Sequence, residues 1–111
     1  MNLLSIALAI ITIVGMTAGQ LLFKLASQQG TAAQIITSLS FWIAACLYGV
    51  VTIAWVLLLR EVGLARAYPL MAATYVLVPL AAFVILGERV GPLYMIGIAM
   101  IVGGIIITRF E

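Results

Sequence analysis

Few side chains in this sequence are able to do chemistry, and they fall at particular places. Gln20 and Lys24 stand one helical turn apart, Arg66 and Tyr68 two residues apart, Tyr75 seven beyond that, and Glu88 and Arg89 adjacent. At a spacing of four, Gln20 and Lys24 share one helix face. An amide there can hydrogen-bond a hydroxyl or amide, and an ammonium one turn on can meet a phosphate. Together these residues are a recognition set, and they do not make a catalyst. The chain has no His, and its three acids, Glu61, Glu88 and Glu111, stand apart from any nucleophile. No carboxylate dyad, nucleophile–base pair or phosphate-binding loop is present, so no enzymatic activity is expected. The single Cys46 lies in a hydrophobic run, which excludes an internal disulfide framework and, with no His, a zinc site. No metal and no cofactor is expected.

The elements that must position this set are apolar. The chain of 111 residues is 67% hydrophobic and 7% charged, where a soluble domain carries roughly 25% charge to solvate its surface. Mean hydropathy is +1.37. Charges at 24, 60–66, 88–89 and 109–111 separate uncharged runs at 1–23, 25–59, 67–87 and 90–108. Each run reaches the roughly 20 residues that cross a hydrocarbon core as a helix. In lipid every backbone group must be satisfied within the segment, so the runs are helices. The expected fold is an all-α membrane protein, a bundle of four transmembrane helices at about 3–26, 34–59, 67–86 and 93–108, in a single domain over 1–111. Gly30 ends the first helix. Pro69 falls in the first turn of the third, where a missing N–H costs nothing, and Pro79 should kink that helix. The opening residues Met1 to Leu4 lack a positive stretch and read as the start of the first helix.

Five basic residues scattered at helix ends read as membrane anchors, with no nucleic-acid partner implied. Four spans put both termini on one side with Arg60, Arg66 and Arg109, facing Lys24 and Arg89 on the other. Three against two favours N-in, C-in, and so near a balance leaves dual topology open.

Helical periodicity puts Ser5, Thr12, Gly15, Met16, Gly19 and Gln20 on one face of helix 1. Leu3, Ala7, Ile10, Val14, Leu21 and Leu25 fall on the other, toward lipid. Gly15 and Gly19, like Gly97 and Gly104 in helix 4, are small-residue pairs that allow close helix packing and association of subunits. Tyr68, Tyr75 and Pro79 align on helix 3.

Each candidate has a structural reading beside its functional one. Lys24, about 31 Å along helix 1 from Leu3, is a snorkelling anchor or a contact for a substrate phosphate. Gln20, about 25 Å along, makes an interhelical hydrogen bond or recognises a substrate hydroxyl or amide. Arg66 precedes helix 3, where it fixes orientation against headgroups or receives an anion. Tyr68 and Tyr75 are interfacial belt or substrate contacts. Glu88 and Arg89 read as a solvated interfacial pair.

Four short helices, Gly19 near Lys24, the segment Gly87-Glu88-Arg89 and a glycine-rich last helix resemble the small multidrug resistance proteins and the wider drug/metabolite transporter superfamily. Ala18-Gly19-Gln20-Leu21 followed by Lys24, Ala67-Tyr68-Pro69-Leu70, Gly97 and Val102-Gly103-Gly104-Ile105 resemble more closely the small paired subunits of the aminoarabinose–undecaprenyl phosphate flippase and their EamA-like relatives. Multidrug members carry a helix 1 glutamate where this chain has Met16, and a tryptophan where it has Met71. A methionine neither titrates nor balances a cation, which disfavours proton-coupled drug export.

The resemblance implies an inner-membrane, multi-pass transporter or flippase subunit moving an amphipathic, lipid-linked, anionic substrate. It would work as a homodimer or as a heterodimer with a similar small membrane protein. A cation exporter and a non-transporting accessory subunit are the alternatives.

Overall fold

The computed structural model describes residues 2–110, so the readings that involve Met1 and Glu111 lie outside the described residues. Asn2 starts the first helix: its side chain accepts from the Ser5 amide at 2.8 Å, satisfying one of the free donors of the first turn. Helix α1 then runs Leu3–Ser27. Gly30, at φ +115°, turns the chain in a conformation that side chains resist.

The second expected helix, 34–59, is two helices. Thr31 and Gln34 form a reciprocal capping box that starts a short α2, Ala32–Thr37. Ser38, extended at φ −73° and ψ 147°, ends α2, and its hydroxyl accepts the Phe41 amide to start α3, Leu39–Glu61. Both signals stand in the sequence as Thr-x-x-Gln and a lone Ser, within what reads as one polar loop and one apolar run.

The third expected helix, 67–86, starts earlier and breaks. Helix α4 runs Leu64–Met71 from an N-cap at Gly63, so Pro69 lies inside it and not in its first turn. Helix α5 runs Thr74–Leu86. The break falls at Ala72 and Ala73, not at Pro79. Ala72, Ala73 and Tyr75 bond three residues back, to Pro69, Leu70 and Ala72. The Thr74 hydroxyl takes the Met71 carbonyl at 2.7 Å. Tyr75, whose amide would bond the Met71 carbonyl in an unbroken helix, turns to Ala72, and the Thr74 hydroxyl donates to that carbonyl in its place. Gly87, at φ +72°, closes α5, and α6 runs Pro92–Thr108 with its proline at the start.

Helices α1 and α3 form the central pair, α5 lies against α1, and α6 touches α4 and α5. The small residues of α1 make the central pair possible. A Cβ on Gly15 would strike Val51, and one on Gly19 would strike the ring of Tyr48. Ser5, Thr12 and Ala9 are buried on the same face, while Leu3, Ile10 and Val14 are exposed. Thr12 hides its hydroxyl by donating to the Leu8 carbonyl at 2.8 Å. Around Tyr48, Phe23 stacks obliquely with centroids 5.3 Å apart and meets Phe41 edge-on at 6.0 Å. At the opposite end, Ala9, Leu58, Val62 and Ala67 close the core.

The molecule measures 46 × 36 × 19 Å. The long dimension matches a bilayer with its headgroups, about 40–45 Å. The short one is less than two helix diameters of about 10–12 Å. Neither α5 nor α6 has a buried residue, and large apolar side chains such as Phe83, Val84, Leu93 and Met100 are more than half exposed. Three stretches, Leu3–Ser27, Leu39–Glu61 and Leu64–Leu86, are long and apolar enough to cross a membrane, and Pro92–Thr108 is a shorter apolar helix. Such a slab is insoluble in water and at home in lipid. The chain is a multi-pass membrane protein.

Candidate substrate cleft

An open cleft of about 590 Å³ lies between the end of α1 and the first halves of α5 and α6. Its polar wall is Gln20, Thr74, Tyr75 and Tyr94, and its apolar wall includes Pro79 and Gly97. Each polar side chain has a reason to be there. Gln20 follows Gly19, whose lack of a side chain lets the Tyr48 ring pack against α1. Thr74 and Tyr75 begin α5 just past the break, and Tyr94 lies in the first turn of α6. The cleft lining contains no charged side chain.

Charges sit at either end of the helices. One turn beyond Gln20, Lys24 Nζ lies 3.9 Å from Glu88 Oε2, linking the end of α1 to the segment between α5 and α6. Both side chains are about half exposed (49% and 47%), so the pair is worth well under about 1 kcal/mol. A smaller pocket next to it, lined by Glu88, Arg89 and Val90, shares Pro79 and Tyr94 with the cleft. At the other end, Arg109 Nη2 donates to the Arg66 carbonyl at 2.7 Å, tying α6 to α4.

Of the residues singled out in the sequence, Gln20 and Tyr75 meet in the cleft. Lys24 stands one turn away and, contrary to a Glu88–Arg89 pairing, engages Glu88. Arg66 and Tyr68 lie on α4, outside the cleft lining; Tyr68 meets Trp55 edge-on with centroids 6.2 Å apart. The space over Gly15 and Gly19 is filled by Val51 and Tyr48 of α3 in the same chain. Gly97 and Gly104 have nothing within 4 Å of a would-be Cβ. Met16, at the position of the multidrug glutamate, offers its backbone carbonyl to the Tyr48 hydroxyl at 3.5 Å.

Tyr48, Thr74 and Tyr94 are contributions that the sequence did not disclose. Tyr48 donates to α1 from 32 positions away, a juxtaposition that no periodicity encodes. Thr74 matters because the helix breaks beside it.

The grooves beside the cleft are apolar. One of about 420 Å³, lined by Val76, Leu80, Phe83 and Met95, shares Pro79 and Tyr94 with it. Two more, between α5 and the apolar faces of α1 and α6, are lined by residues such as Ile10, Val14, Leu77 and Ile106. An uncharged cleft with a few polar side chains, adjoining an apolar groove in a slab of membrane helices, has the architecture of a small transporter subunit.

The chain is similar to proteins named "Probable 4-amino-4-deoxy-L-arabinose-phosphoundecaprenol flippase subunit ArnE" from Salmonella newport (strain SL254), Salmonella agona (strain SL483) and Salmonella typhimurium (strain LT2). Each is 36% identical over 91 residues, which cover 80% of this chain and 82% of the relative. No protein-family model matches the chain. No solved structure matches it. Identity at this level over four fifths of both chains shows that the protein belongs to the ArnE family of flippase subunits.

Proposed function

We propose that this chain is one subunit of a bacterial inner-membrane flippase for a sugar carried on a polyprenyl phosphate. The observation that carries the reading is the union of the uncharged cleft, with its Gln20, Thr74, Tyr75 and Tyr94, and the apolar groove that shares Pro79 and Tyr94 with it. A sugar head crosses in the cleft, while the polyprenyl tail stays in the grooves and surrounding lipid, where apolar burial holds it. The phosphate is met by cations near the two membrane surfaces: Lys24, drawn from Glu88, at one and Arg66 at the other. A phosphate contact is charge-assisted and stronger than the solvent-exposed pair it replaces.

Helix α6 spans the membrane as the fourth crossing. A partner copy or a similar small subunit packs on its glycine face at Gly97 and Gly104 and walls the open side of the cleft. A drug-exporter reading lacks its central group, since the cleft lining holds no carboxylate and Glu88 is engaged by Lys24.

The test is reconstitution in proteoliposomes, with and without a partner subunit, of polyprenyl-phosphate-linked 4-amino-4-deoxyarabinose labelled on one leaflet. Transfer to the other leaflet that depends on the protein is the expected result. Protein-independent transfer at every composition would overturn the reading.

A further inference from the structure

The segment between α5 and α6, residues 87–91, is helical at no position. Glu88 roots it: its amide donates to the Ala82 carbonyl of α5 at 3.2 Å. Beyond that bond, the amides of Arg89, Val90 and Gly91 find no partner among the described residues. Helix α6, which follows, has no buried residue to hold the segment from its other end. A stretch with so few bonds and so little packing belongs to the least stable part of a fold. Its tie to α1 is the Lys24–Glu88 pair at 3.9 Å.

Position gives that tie a consequence. Glu88, Arg89, Val90 and Gly91 line the pocket of about 170 Å³ that has Pro79 and Tyr94 in common with the cleft. Lys24 stands one helical turn beyond Gln20 of the cleft wall. The pair therefore joins α1 to the α5–α6 segment at the Lys24 end of the cleft.

Strength decides what such a tie can do. Both side chains are about half exposed, and a pair in that setting shifts an equilibrium by no more than about fivefold. A buried pair would lock the segment. This one holds it closed for part of the time, and a stronger anion at Lys24 undoes it. A phosphate is such an anion, because its contact to a cation is charge-assisted and it presents more acceptor oxygens than a carboxylate.

We propose that residues 87–91 form a strap over the Lys24 end of the cleft, fastened by Glu88 and released when a phosphate takes Lys24. Glu88 then stands in for the substrate's phosphate and keeps the cation occupied between cycles. The release step rests on the reading that Lys24 meets a lipid-linked phosphate; the fastening does not.

Spin labels on Ser27→Cys, at the end of α1, and Val90→Cys, on the strap, report closed and open populations as shorter and longer distances. The full chain is used in phosphatidylcholine nanodiscs, with Cys46→Ser as background. Lys24→Gln and Glu88→Gln should each raise the open-to-closed ratio about two- to fivefold. Lys24→Glu combined with Glu88→Lys should return the ratio to its starting value, since the pair is rebuilt with its signs exchanged. Both positions lie on one side of the membrane, so the exchange leaves the number of basic residues there unchanged. Equal ratios in all four chains, or an exchange that fails to restore the ratio, would overturn the strap.

Polyprenyl phosphate added to the nanodiscs should raise the ratio where Lys24 is present and leave Lys24→Gln unchanged. Polyprenol should do nothing, and the headgroup phosphates of the bilayer are present throughout. An equal response to polyprenol, or none to either lipid, overturns release by the substrate's phosphate. Leaflet transfer is scored separately. A strap that responds in a protein that moves no lipid sinks the flippase reading alone, and transfer past an unresponsive strap sinks this proposal alone.

Discussion

The ring of Tyr48 occupies the volume that any side chain at position 19 would fill, so Gly19 and Tyr48 are one feature built from two helices. The ring packs on bare backbone, its edge meets Phe23, and its hydroxyl reaches Met16 and Gln20. A small residue in α1 thereby makes room for the ring whose hydroxyl holds Gln20.

Gly19→Ala is expected to destabilise the α1–α3 pair by about 1–3 kcal/mol, the range for overpacking a filled site. Gly49→Ala, where a Cβ meets nothing within 4 Å, should be close to neutral. Thermal unfolding in detergent followed by helical circular dichroism compares the two. Equal midpoints would show that the Tyr48 ring moves aside at little cost.

Association is expected to respond to α6. Replacing Gly97 or Gly104 with Leu should reduce crosslinking between subunits through introduced cysteines, after the exposed Cys46 has been changed to Ser. The unfolding midpoint of the single chain should stay the same, because a Cβ on either glycine meets nothing within 4 Å. Unchanged crosslinking in both variants places the interface elsewhere.

Lys24→Ala and Arg66→Ala should leave the fold intact and slow transfer of a polyprenyl-phosphate-linked sugar. Losing a charge-assisted phosphate contact removes about 1.5–3 kcal/mol, roughly a ten- to hundredfold effect. The exposed Lys24–Glu88 pair contributes too little for its loss to unfold the protein. Leaflet-specific labelling in proteoliposomes at matched protein content gives the rates. Wild-type transfer in both variants would reduce the two residues to membrane anchors.

Quaternary ammonium dyes are expected to show no proton-competed binding. Met16 stands where an exporter has its titrating carboxylate, and no acid lines the cleft. Fluorescence binding between acid and neutral pH is the measurement. Tight binding that protons displace and that Glu88→Gln abolishes would contradict this.

Much of the framework is legible in the residues because lipid imposes one simple rule. Long uncharged runs must be helices, and charges must fall where helices end. The alternation of small and bulky side chains in α1 foretells which face packs, as burial of Ser5 and Thr12 against exposure of Ile10 and Val14 shows. Local capping is legible in principle, and Thr31 with Gln34 marks a helix start that hydropathy alone conceals. The break at Ala72 is less so. There the amides of Ala72, Ala73 and Tyr75 bond three residues back while the Thr74 hydroxyl takes the Met71 carbonyl, a rearrangement that no single residue of the segment announces.

What the sequence by itself determined is the membrane class, the apolar helices, the polar candidates Gln20 and Tyr75, and the absence of a helix 1 carboxylate. These follow from composition and from spacing along one helix, which are local properties. Only the tertiary structure decided that Tyr48 stands behind Gly19, that Lys24 faces Glu88, and that the α1 glycines serve the chain's own core. It also decided that Thr74 and Tyr94 complete the cleft. Those relationships join residues tens of positions apart, and they depend on how helices of nearly uniform apolar surface choose their neighbours. That choice rests on a few small residues and spent hydrogen bonds, which acquire their meaning only once a second helix is in place.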